Sequence, residues 1–158
     1  MEFKGISDLG KVEVYIIDDK VHDEDLETGY PLSGPRGDFV SSLLGSMGLL
    51  DKTRIACWEG HGPDKVIDDI IKYQPKIIVG LGSEMMKQFI STNKKVTEMS
   101  GQIKTISLRD QNFNYLVLMS PSYVIKRMED SEIVLKFSQD LYKAAQFISG
   151  EYSDPLES

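Results

Sequence analysis

Apolar positions along the chain fall into short continuous runs separated by helical stripes. Lys11–Ile17 starts with alternation and becomes fully apolar at Tyr15-Ile16-Ile17, which predicts a first strand ending at Asp18-Asp19. Ile77-Ile78-Val79 is an unbroken β-branched run, the pattern of a strand buried on both faces. Gly80 and Gly82 follow it as turn residues, and Ser83 can cap a helix running to about Ile90. Arg54–Cys57 reads as a second short strand leading into the turn Trp58–Pro63. Gly101–Ile106 alternates and Tyr115–Met119 is continuously apolar. With turn chemistry at Asp110–Asn114 between them, a hairpin-like pair is expected.

Helical periodicity fills the intervals. Asp38 can cap a helix to Met47 that buries Phe39, Val40, Leu43 and Leu44. Asp64 can cap another, with Val66, Ile67, Ile70 and Ile71 on one side and Pro75 ending it. A last helix from about Asp130-Ser131 places Ile133, Phe137, Leu141, Ala144 and Ile148 on one stripe, and Gly150 stops it. Residues 1–11 read as a lead-in, Lys20–Gly37 as a long polar loop of the kind that carries function, and Ser91–Ser100 as a polar, lysine-containing connection. Strands alternating with helices imply a three-layer α/β domain with a mainly parallel central sheet over residues 1–150, followed by an acidic tail, 151–158.

Composition narrows the function classes. A chain of 158 residues, 41% hydrophobic and 27% charged, suits one soluble globular domain. No apolar stretch approaches the roughly 20 residues of a membrane helix, and Met1-Glu2-Phe3-Lys4 lacks a secretory h-region, so no membrane partner and a cytoplasmic location are expected. Cys57 is the single cysteine, which excludes an internal disulfide and a four-cysteine metal or iron–sulfur site. A net charge of −7 opposes nucleic-acid binding unless basic residues cluster locally. Lys87, Lys94, Lys95, Lys104, Arg109, Lys126 and Arg127 are the candidates for such a patch, with scattered solvation as the alternative.

Asp18 and Asp19, at a strand's carboxyl end, read either as a general base or metal-binding pair or as a solvated strand terminus. His22–Asp25 lacks a complete cation-ligand pattern and reads as a solvated acidic loop. His61 reads as a loop residue or a displaced acid–base group, and Cys57-Trp58 as packing. Ser120-Pro121-Ser122, taken alone, reads as a helix-capping turn.

Three segments in order carry a resemblance: Gly29–Gly37 before an apolar helix, Pro75-Lys76-Ile77-Ile78-Val79-Gly80-Leu81-Gly82-Ser83, and Met119-Ser120-Pro121-Ser122-Tyr123-Val124-Ile125-Lys126-Arg127. Together they resemble the uracil-DNA glycosylase superfamily, in particular its bacterial and archaeal iron–sulfur branch. There the segments read roughly G-E-A-P-G…E-D…G-x-P-F-V-G-x-A-G, P-K-V-I-V-x-L-G and H-P-S-Y-L-L-R. Glu24-Asp25 falls where that branch has its acidic pair, and the likeness spans Val12 to Ile148.

The resemblance implies that fold, and a catalytic machinery altered at each key position. Asp18 stands in for the carboxylate that positions water, Leu32 replaces the stacking aromatic, Ala56 or Cys57 replaces the asparagine that reads the uracil edge, and Ser120 replaces the catalytic histidine. Losing one preorganised donor costs about 10²–10³ in rate, so four weakened positions make uracil excision inefficient. The cluster cysteines are absent, so no cofactor is expected. The resemblance thus implies a catalytically degenerate accessory protein that binds DNA or a replication or repair protein. Asp18 and Ser120 are the catalytic positions, Asp19, Leu32 and Cys57 the base pocket, and Ser122, Lys126 and Arg127 the DNA contacts. Two alternatives are an active glycosylase of altered base preference, working through Asp18 and Ser120 on a flipped base, and a small-molecule or nucleotide-binding α/β protein.

Overall fold

A computed structural model describes residues 1–152, and one six-stranded sheet runs through them. In chain order the elements begin with β1 (Lys4–Gly5), β2 (Val14–Asp18), α1 (Asp23–Thr28) and α2 (Gly34–Ser46), followed by a single 3₁₀ turn at Leu50–Lys52. Then come β3 (Thr53–Cys57), α3 (Trp58–His61), α4 (Pro63–Tyr73), β4 (Ile77–Leu81), α5 (Ser83–Phe89) and α6 (Val96–Met99). The chain continues with β5 (Ile103–Leu108), β6 (Gln111–Leu118), α7 (Pro121–Ile125) and α8 (Ser131–Ser149).

The strand order is β1-β3-β2-β4-β6-β5. The inner four, β3, β2, β4 and β6, are parallel, while β1 and β5 pair antiparallel at the two edges. The α/β class holds, with a sheet mixed at its margins and helices on both faces. Alternation along β2 divides the core. Val14 and Ile16 join Val40 and Leu44 of α2, Val124 of α7 and Phe137 and Leu141 of α8, whereas Tyr15 and Ile17 join Val66 and Ile70 of α4 and Met85 of α5.

Several expectations on the elements change. Lys20–Gly37 is not one open loop: α1 forms inside it, and α2 starts at Gly34, ahead of Asp38, because Pro35 fits a first helical turn. Val96–Met99 interrupts the polar stretch 91–100, and the lead-in contributes an edge strand. The hairpin between β5 and β6 turns at Arg109-Asp110, both at positive φ (48° and 66°), so Gln111–Asn114 lies in the strand. Gly80 also differs from its expected turn role. It sits inside β4, where any Cβ would strike the Tyr115 hydroxyl, and Tyr115 donates to the Met85 carbonyl at 2.9 Å. The true turn is at Gly82, with φ +93°. Asp130 caps α8 as expected and Gly150 ends it at φ +81°. Residues 153–158 of the acidic tail lie outside the described residues.

A buried polar cluster ties β3 to α4. Arg54 on β3 donates twice to Asp69 of α4, Nε at 2.7 Å and Nη2 at 3.0 Å, and the Tyr15 hydroxyl donates to the same carboxylate at 2.7 Å. Burial together with the Asp69 carboxylate raises the Tyr15 pKa far above its ordinary value. The one carboxylate thus joins β2, β3 and α4.

Candidate functional site

In open α/β sheets ligands gather beyond the carboxyl ends of the parallel strands, near the point where the strand order reverses. Here the chain moves from β2 to β3 on one side, then crosses back so that β4 lies on the other side of β2. The residues at those ends are Asp18-Asp19, Cys57-Trp58, Gly82-Ser83 and Met119-Ser120.

Asp18 is tied into the interior. Its Oδ2 accepts from Arg36 Nη1 of α2 at 2.8 Å, and its Oδ1 accepts from the Asp19 backbone N–H at 3.1 Å. Arg36 also reaches Asp25 Oδ2 at 3.4 Å. Asp25 is fully buried and accepts the backbone N–H groups of His22 and Ser33, both at 2.9 Å. One guanidinium therefore pins α1, the loop after it and the end of β2 together. Of the acidic pair at 24–25, only Asp25 points inward. Each oxygen of Asp18 accepts one hydrogen bond, and the side chain is buried away from the clefts of the surface.

Leu32 is fully buried in the α2–α8 core, with a left-handed backbone (φ 53°) and its carbonyl accepting from Lys4 Nζ at 3.0 Å. Cys57 is fully buried as well, its sulfur accepting from Gly60 N–H at 3.3 Å, and burial pushes its thiol up to about 11. That value makes it inert as a nucleophile at neutral pH. His61 Nδ1 accepts from the Cys57 backbone N–H at 3.0 Å and its ring stacks on Phe3 at 3.9 Å; burial lowers its pKa. Asp19 is more open. Burial, with Glu84, Asp18 and Glu59 nearby, raises its carboxyl above the ordinary value, against the opposing charge of Lys20.

Ser120 lies on the other side of β4. The Gly82 N–H donates to the Leu118 carbonyl at 2.9 Å, and a Cβ placed at Gly82 would stand 3.5 Å from Ser120 Cβ, so the ends of β4 and β6 abut. Ser120 caps α7 by accepting the Ser122 N–H at 3.2 Å. It also lines a cleft of about 450 Å³ together with Ser83, Lys87, Lys94, Lys95 and Tyr123. Val96 and Met119 supply its apolar lining, and no acidic residue lines it. Lys87 stands 3.9 Å from Glu84 with both side chains in solvent, a contact of little energy. Among the described residues, Lys94 and Lys95 are in no ion pair. Arg127 packs its guanidinium over Tyr123, 3.8 Å from the ring centroid, and donates to the Tyr123 carbonyl at 3.0 Å. Lys126 is exposed beside it.

The predicted site residues thus separate into two groups. Asp18, Leu32 and Cys57 are enclosed by protein, and neither they nor Asp19 line the cleft that Ser120 lines. Ser120, Ser122, Lys126 and Arg127 stay together on and around α7. Of the proposed basic patch, Lys87, Lys94 and Lys95 converge, whereas Arg109 pairs with Asp68 and Lys104 lies on edge strand β5. Arg36 was missed by sequence reasoning. Read as part of the Lys20–Gly37 loop, it carries no signal of burial; only the earlier start of α2 at Gly34 turns it inward toward its carboxylate partners. No group of three or more metal-ligating side chains occurs among the described residues. No protein-family model matches the chain, and no curated protein matches it.

Proposed function

We propose that this chain is a catalytically silent protein of uracil-DNA glycosylase type that binds DNA through the lysine-edged cleft, as an accessory factor in replication or repair. The observation that carries this reading is the convergence of Lys87, Lys94 and Lys95 on one acid-free cleft in a protein of net charge −7. On an acidic protein, three lysines with no acidic lining residue beside them bring clustered positive charge to one cleft, which favours phosphate binding there. The cleft lies beyond the carboxyl ends of β4 and β6, where an α/β sheet presents ligands. The silent assignment rests on Asp18, which is buried, bonded through both oxygens to Arg36 and the Asp19 N–H, and absent from the cleft that Ser120 lines.

Two measurements test the reading. Fluorescence anisotropy of a labelled oligonucleotide should detect binding that Lys94→Glu with Lys95→Glu removes. Incubation with uracil-containing oligonucleotides should yield no abasic sites. Turnover abolished by both Asp18→Asn and Ser120→Ala would refute the silent assignment, and equal affinity of wild type and the double variant would refute the cleft. The cleft's volume of about 450 Å³ also suits a free nucleotide. Thermal stabilisation by nucleotides, without any by DNA, would favour that second reading.

A further inference from the structure

Resting on the proposed DNA-binding reading, we infer that the cleft selects single-stranded over double-stranded DNA, because its interior fits one unpaired nucleotide. Its composition is divided. Val96, Met119 and Tyr123 line it with apolar and aromatic residues, and Lys87, Lys94 and Lys95 line the same space with cationic ones. An unpaired nucleotide has the same division, a flat apolar base joined to an anionic phosphate.

A duplex has no such group to offer. The flat faces of its bases are stacked inside and its phosphates run along the outside, so it touches the lysines and leaves Val96, Met119 and Tyr123 without a base to hold. Extruding a base from a duplex costs unstacking and unpairing energy that a single strand does not pay. The volume of about 450 Å³ lies within the range of pockets that enclose a small organic ligand, and is too small for a double helix. Tyr123 is itself held in place: Arg127 covers its ring at 3.8 Å and bonds its carbonyl, so the aromatic wall is preorganised. Aromatic contact with one base and lysine contact with its phosphate together make a stacking-and-charge site that tolerates any base.

The experiment compares full-length protein binding a labelled oligothymidylate with binding a hairpin duplex of equal nucleotide count, by anisotropy at one fixed salt concentration. The single strand should bind at least about fivefold more tightly, the lower end of a stacked base contact. Thr97 is exposed on the cleft wall, so Thr97→Trp should fill the cleft without removing charge or disturbing the core. It should bring single-strand affinity down to the duplex level and leave duplex affinity unchanged. Equal affinity of wild type for the two forms, or a Thr97→Trp protein that still prefers the single strand, would overturn the inference while leaving DNA binding intact. Absence of binding to either DNA would overturn the reading beneath it.

Discussion

At the scale of single side chains, Arg36 has the largest consequence for stability. It is 5% exposed and neutralises two buried carboxylates, Asp18 and Asp25. Arg36→Met leaves both uncompensated and should destabilise the fold by about 3–5 kcal/mol, read from urea unfolding. Adding Asp18→Asn and Asp25→Asn should recover part of that loss. His61 gives a pH signature. Its pKa is depressed below the ordinary 6.5 by burial, and the neutral ring accepts the Cys57 N–H at Nδ1. The unfolded chain therefore binds a proton that the folded chain refuses, so stability is fully present above about 6.5 and is lost as pH falls through the folded-state value. Unfolding midpoints in wild type should drop on acidification through this window, and His61→Gln should flatten the drop. Neither residue announced its role in sequence: Arg36 sat inside a polar loop, and the partners of His61 come from β3 and the amino-terminal segment.

At the scale of elements, the buried strands were plain in the sequence because both-face burial demands continuous β-branched runs, as in Ile77-Ile78-Val79 and Tyr15-Ile16-Ile17. The α8 stripe was equally legible, with Phe137, Leu141 and Ala144 fully buried. Short helices were not. α1 and α6 depend on tertiary support rather than periodicity, α1 through the carboxylate of Asp25. The hairpin turn was displaced because Asn112 and Asn114, turn formers by propensity, sit in β6 opposite Ser107 and Thr105. Gly80 was recognised but for another reason, the close approach of Tyr115. Gly80→Ala should therefore lower stability by about 1–3 kcal/mol or more through overpacking, measured as a fall in Tm.

At the scale of the whole molecule, the acidic total and the basic cleft act in opposition. The charge of −7 opposes phosphate binding over the surface as a whole, and the proposed reading assigns that binding to Lys87, Lys94 and Lys95. Composition gave the sign of the surface but not the cluster, because these lysines come from α5, the loop after it and the start of α6, and only the fold brings them to Ser120 and Tyr123. The enclosed half of the expected site, Asp18, Leu32 and Cys57, was invisible as such because its partners are distant in sequence. The most direct measurement is the salt dependence of oligothymidylate binding, plotted as log K against log salt concentration. Three lysines engaging phosphates predict a slope of about −2 for a single strand, falling toward zero when all three are changed to Gln. A slope near zero in wild type, or one unchanged in the triple variant, would contradict the cleft as the DNA-binding site.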